Sequence, residues 1–159
     1  MNLFNCKISY LKQAEDGSIY KKSEIYFVEA LSFIEAETNL QKRLEELIPE
    51  YNLLALSKVN ISAVLALKEF ESTDNVYFKA KVAYKSVDEE SGKEKKVVES
   101  FIVSAETVDI ATKIINYQMQ GSISNWEVPS IVKTNIVDIF EYEKKNPYIG
   151  VDVHKSDQI

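Results

Sequence analysis

A chain of 159 residues, 45% hydrophobic and 28% charged, has the composition of an ordinary soluble globular protein, either one domain or two small ones. Its net charge of −6 argues against broad contact with phosphate backbones, which draws its energy from clustered Lys and Arg. No apolar run approaches the roughly 20 residues of a membrane-spanning helix, and a single cysteine, Cys6, excludes an internal disulfide framework.

The opening MNLFNCKISYLKQ has no basic region followed by an apolar stretch, so the expected compartment is the cytoplasm. Residues 3–12 alternate as a strand, Asp16-Gly17 supplies turn chemistry, and 19–30 return as a second strand ending in the apolar run IYFVEA. Ser32, with Glu35 three residues on, forms a capping-box pattern that starts a helix. Phe33, Ala36, Leu40, Leu44 and Leu47 fall on one helical stripe, while Glu35, Glu37, Lys42, Arg43 and Glu46 face water. Pro49 ends the helix, and residues 51–65, rich in Leu, Val and Ile, read as a third strand.

The same text is then written again, since positions 3–65 recur at 77–140. Phe4, Lys7, Ile8 and Tyr10 match Phe78, Lys81, Val82 and Tyr84. After one inserted residue a second register holds through Gly17/Gly92, Glu24/Glu99, Tyr26/Phe101, Val28/Val103, Ala36/Ala111, Tyr51/Trp126, Lys58/Lys133, Asn60/Asn135 and Ile61/Ile136. Thr107 takes the cap position, Ile110 replaces the capping Glu, and Val108, Ala111, Ile115 and Met119 form the buried stripe, with Gly121 placed to end the helix in a left-handed conformation.

The predicted architecture is α+β: two tandem ββαβ repeats related by a pseudo-twofold, mostly antiparallel sheet, one helix per repeat. Residues 1–65 form the first unit, 66–75 a connector that is polar after its first residues, 76–142 the second unit and 143–159 a loosely held tail. Units of this size bury too little surface to be stable alone, so the halves are expected to share a core.

Chemistry is sparse. The only histidine, His154, lies in the tail, which removes a core Ser/His/Asp or Cys/His arrangement and the usual zinc ligands. Glycines at 17, 92, 121 and 150 write neither phosphate-cradling loop motif. Glu24 and Glu99 are paired by the repeat, but a solvated strand entry outweighs general acid/base or Mg²⁺ chemistry for them. Cys6 reads as a small buried side chain. Lys21-Lys22 and Lys95-Lys96 sit among carboxylates at the hairpin tips, so mixed solvated turns outweigh a nucleic-acid site. Tyr10, Tyr20 and Tyr84 are the aromatics placed to serve as stacking platforms.

Lys58 and Asn60, with Lys133 and Asn135, are the candidate ligand-binding residues. Two apart on a strand, each pair shares a face, and a pseudo-twofold would gather two cations and two amides around an anionic ligand. Lys at a sheet edge also discourages aggregation, and the structural role weighs more.

The strand F-x-C-K-[IV]-x-Y, the junction V-E-A-L-S-F-x-E-A-E at 28–37 and the hairpin D-E-x-S-G-K-E-K-K at 88–96 resemble a family of small tandem-repeat proteins of unknown function from Bacteroides-type gut bacteria and their phages. The resemblance covers residues 1–142 and implies an intracellular accessory factor of phage or mobile-element type, with no activity, cofactor or catalytic residue attached. The expected function is non-enzymatic, a cytoplasmic binding protein acting through protein–protein contacts, without cofactor or metal. The alternatives are sequestration of a nucleotide-like anion and, less favoured, association with nucleic acid.

Overall fold

The structure, a computed structural model, describes residues 2–122 and 125–142. The tail at 143–159 and His154 lie outside the described residues. Strands β1 (Asn2–Gln13) and β2 (Ile19–Ala30) form one long antiparallel hairpin, running from Asn2 opposite Ala30 to Gln13 opposite Ile19. Gly17 supplies the left-handed turn residue at φ 87°, and the Ser18 backbone N–H donates to Asp16 Oδ1 at 2.9 Å. Helix α1 (Phe33–Leu44) follows, and the Ser32 hydroxyl accepts from the Glu35 N–H at 3.2 Å as the cap pattern predicts. Glu35 reaches back one residue further than the standard box, accepting from the Leu31 N–H at 3.1 Å.

Residues 51–65, expected as one strand, form two, because the chain turns at Asn60 and leaves its own sheet. Strand β3 (Asn52–Val59) pairs antiparallel with β1, whereas β4 (Ala63–Leu65) pairs parallel with a strand of the second half. That half repeats the order with β5 (Val76–Val87), β6 (Glu94–Ala105), α2 (Val108–Met119), β7 (Trp126–Lys133) and β8 (Ile136–Phe140). Here β8 crosses in the opposite sense and pairs parallel with β2. The described residues make a mixed α+β fold of two helices and two four-stranded sheets, ordered β3-β1-β2-β8 and β4-β6-β5-β7. Each sheet holds one strand from the other half.

Hydrogen bonds anchor both crossings: the Ser62 N–H donates to the Ser100 carbonyl at 2.8 Å, and the Thr134 N–H to the Tyr77 carbonyl at 2.9 Å. The connector at 66–75 is less polar in place than on paper. A short 3₁₀ turn at Lys68–Phe70 lays Phe70, beside Leu67, against the second core.

Among the described residues three apolar clusters hold the fold together. The first puts Ala36, Leu40 and Leu44 of α1 on Phe4, Cys6, Ile8 and Val28, and the second puts Ala111, Ile114 and Ile115 of α2 on Phe78, Val82 and Val103. The third lies on the opposite sheet faces, where Phe27, Ile102 and Ile136 join the halves with Leu3, Ile25, Val59 and Tyr77 around them. The expected sharing of a core takes this form.

The helical stripes need amendment at their ends. Phe33 is 51% exposed and only edges onto Phe4 at a centroid distance of 4.9 Å; Val108 is 47% exposed, and Leu47 lies beyond the last helical turn, 75% exposed. First-turn and post-helix positions overhang the sheet rather than lie on it. Ile114, which the stripe omitted, is buried.

A bulge interrupts each outer strand pair. Lys7 faces Ala55 and Ile8 faces Leu53, leaving Leu54 unpaired; the equivalent slip between Lys81/Ser130 and Ala83/Glu127 contains Pro129. A broken ladder is where a missing N–H costs no hydrogen bond.

Candidate functional site

The four predicted ligand residues are all exposed, but the structure distributes them unevenly. Lys58 and Lys133 occupy matching places, opposite Phe4 and Phe78 in their strand registers, hence on the helix-bearing faces. Strands β3 and β7 end at Val59 and Lys133, so the alternation that would align each lysine with its asparagine stops between them. Asn60 and Asn135 then sit in the crossings and line one groove between the halves, while the lysines do not line it.

That groove has a volume of roughly 360 Å³. Its base is aliphatic and aromatic, including Ile25, Phe27 and Ile102, and its polar side chains are Asn5, Asn60, Asn135, Thr134 and Lys79, with no carboxylate among the lining residues. Thr134 is committed to the fold, its hydroxyl donating to the Tyr77 carbonyl at 2.8 Å. Asn5 and Lys79 occupy aligned repeat positions, which was the one sequence signal pointing to Lys79. Their residue types differ, so the repeat does not mark the position.

Of the paired carboxylates, Glu24 is tied down by phenols rather than solvated as expected. Tyr10 donates a short hydrogen bond to Glu24 Oε1, and Tyr26 donates to Oε2 at 3.4 Å. The Tyr10 phenol is pushed up to about 12, chiefly by that hydrogen bond and secondarily by burial and the Glu24 charge. Burial and then the Glu24 charge push Tyr26 up as well. In the second half Tyr84 is raised by burial and by Glu99, while Phe101 replaces the second phenol.

Phenols with raised folded-state values favour the fold in their neutral form. Their contribution is complete below the unfolded value of about 10 and is lost as pH rises through the folded values. Absorbance titration of phenolate is therefore expected to show delayed ionisation of Tyr10 and Tyr26, with stability falling between about pH 10 and 12. Replacing Glu24 by Gln should bring the Tyr10 transition down towards pH 10, and an unchanged curve would refute the pairing.

Cys6 is wholly buried, and burial, followed by the Glu37 charge, raises its thiol to about 12. Native protein at neutral pH should therefore leave it unlabelled by alkylating reagents until denatured.

Two further recesses occupy equivalent positions, where each hairpin outruns its third strand. The first, of roughly 820 Å³, is bordered by Tyr10, Leu11, Lys21, Glu37, Glu50 and Tyr51. The second, of roughly 490 Å³, is bordered by Tyr84, Lys85, Glu94, Lys96, Trp126 and Glu127. Ion pairs cross the second, Lys85 to Glu94 at 3.6 Å and Lys96 to Glu127 at 3.9 Å. Among the described residues no group of three or more His, Cys, Asp or Glu is placed to hold a metal ion, and no helix is long and apolar enough to cross a membrane. Chelator is expected to leave the melting temperature unchanged.

Two helices on two four-stranded sheets, each sheet completed by a strand from the other half, with recesses at the hairpin bases and between the halves, define the class: an α+β protein of mixed sheets. Within that class the chain belongs to the family described as Domain of unknown function (DUF4494), whose profile matches residues 2–142. No curated protein matches the chain significantly.

Proposed function

We propose that this protein is a non-enzymatic binding module, a cytoplasmic accessory protein of phage or prophage type that works through contact with another protein. The observation that carries the reading is the first hairpin's projection beyond its third strand. Strand β1 runs to Gln13, yet its pairing with β3 stops at Ser9. Among the described residues the outer edge of Tyr10–Gln13 is thus open, beside Leu11 at 73% and Ile19 at 69% exposure. Main-chain groups without partners and large apolar side chains in water are the features that strand-adding partners use. The net charge of −6 adds complementarity to a basic partner.

We read the halves as two copies of one duplicated unit about a pseudo-twofold. Identical hairpin pairings such as Phe4/Val28 and Phe78/Val103, together with matching sheet orders, support this. The experiment is affinity capture from native cells with mass spectrometry, comparing the wild type with Leu11→Asp/Ile19→Asp. Specific proteins lost with the variant support the reading, and an identical profile from both counts against it.

A second reading, capture of a nucleotide-like anion, draws support from the groove that holds Asn60 and Asn135 with Lys79 and no carboxylate. In it Lys58 and Lys133, on the helix-bearing faces and outside the groove lining, take no direct part. Titration with ADP should then be weakened by Lys79→Ala more than by Lys58→Ala/Lys133→Ala. The lysine double variant should move stability by no more than about 0.5 kcal/mol, as exposed charges usually do. Unfolding of that variant would make the two lysines structural.

A further inference from the structure

The recess at the base of the first hairpin deepens the protein-binding reading and rests on it. We propose that it receives a lysine or arginine side chain from an extended partner segment that adds to the open outer edge of β1.

The comparison between the two recesses carries this. In the second, Lys85 and Lys96 lie against Glu94 and Glu127, so the chain supplies its own cations. At the corresponding places in the first stand Leu11, Lys21, Ile19 and Asn52, and both ion pairs disappear. Carboxylates remain, now at Glu37 and Glu50, neither in an ion pair among the described residues. The lining side chains carry these two carboxylates against one lysine, Lys21, a formal excess of one negative charge.

The walls suit a cation on an aliphatic stem. Tyr10 and Tyr51 are half-buried and offer ring faces, which attract a cation electrostatically, and the carboxylates supply charge. Glu37 lies close enough that its charge, after burial, helps raise both the Tyr51 phenol and the Cys6 thiol. Ser9, also in the lining, is wholly buried, its hydroxyl without a hydrogen-bond partner among the described residues.

The backbone supplies direction. Beyond Ser9 no strand of the described residues covers the outer edge of β1. A partner strand continuing the line of β3 would bond this edge and alternate its side chains, one into the recess and the next over exposed Leu11 and Ile19. The bulge of the second half's outer strand carries Pro129, which has no N–H to donate, whereas the matching bulge in β3 carries Leu54.

The test titrates the full chain with a blocked pentapeptide carrying a central lysine between valines and threonines, and with the same peptide acetylated at that lysine. Amide shifts are expected at Tyr10–Gln13, Glu37 and Tyr51. Affinity should fall about tenfold or more in Glu37→Gln/Glu50→Gln, should weaken with salt because the charges are partly exposed, and should be lost with the acetylated peptide. Glu94→Gln in the second recess should bind the peptide unchanged. Shifts gathered at the second recess, equal affinity for the double variant, or no shift at millimolar peptide would each overturn the inference. A native partner lost with Leu11→Asp/Ile19→Asp but kept with Glu37→Gln/Glu50→Gln would overturn it too, and would leave the broader protein-binding reading standing.

Discussion

Replacing Phe140 by alanine is expected to destabilise the protein by about 3–5 kcal/mol, the usual cost of deleting a buried aromatic side chain. Phe140 belongs to the last described strand of the second half, yet it is buried in the core of the first, at 6% exposure. Its ring stacks on Tyr26 at 5.3 Å with an interplanar angle of 17°, and the Arg43 guanidinium lies over it at 5.5 Å. Its backbone pairs with Val28. Truncation therefore opens a cavity and weakens the attachment of β8 together. Against a typical total of about 5–15 kcal/mol, that loss is a large share of the fold. Denaturant melts measure it, and a loss below about 1 kcal/mol would mean that the exchanged strand contributes little to the first half.

Leu40→Ala is expected to cost about 2–5 kcal/mol, and Ile115→Ala about the same, because both side chains are wholly buried on the sheet-facing stripes of their helices. The two lie in different clusters and share no partner, so their effects should add within about 0.5 kcal/mol. The halves should nevertheless melt in one transition. The third cluster and the exchanged strands tie the sheets together, so loss of one core exposes the seam of the other. A loss below about 0.5 kcal/mol for either single variant would show its helix face to be wrongly placed. Two separated transitions would show the halves to be independent.

The functional surface was legible only in fragments. Asn60 and Asn135 were found because the repeat aligns them, and their meeting in one groove follows from the crossings they occupy. Lys79 escaped notice because its counterpart, Asn5, is a different residue type. The recess between Glu37, Glu50 and Tyr51 escaped because it joins a helix, a loop and a hairpin edge, whose proximity no local pattern encodes.

Local physics wrote the hairpins, the caps and the helix faces into the residues themselves. Asp16-Gly17 can turn where other pairs would strain, Ser32 and Thr107 satisfy free N–H groups three residues away, and a 3.6-residue period sorts Leu40 and Ile115 inward. Each of these depends on neighbours within a few positions. Where β4 and β8 would pair does not. A run of Val, Leu and Ile reads the same whether it stays in its own sheet or crosses to the next, since parallel pairing with β2 or β6 is chosen by which edge lies open when both hairpins are folded. Only the assembled molecule presents those edges, and it sets Phe27, Ile102 and Ile136 between the sheets as the apolar seam that makes the crossing worthwhile.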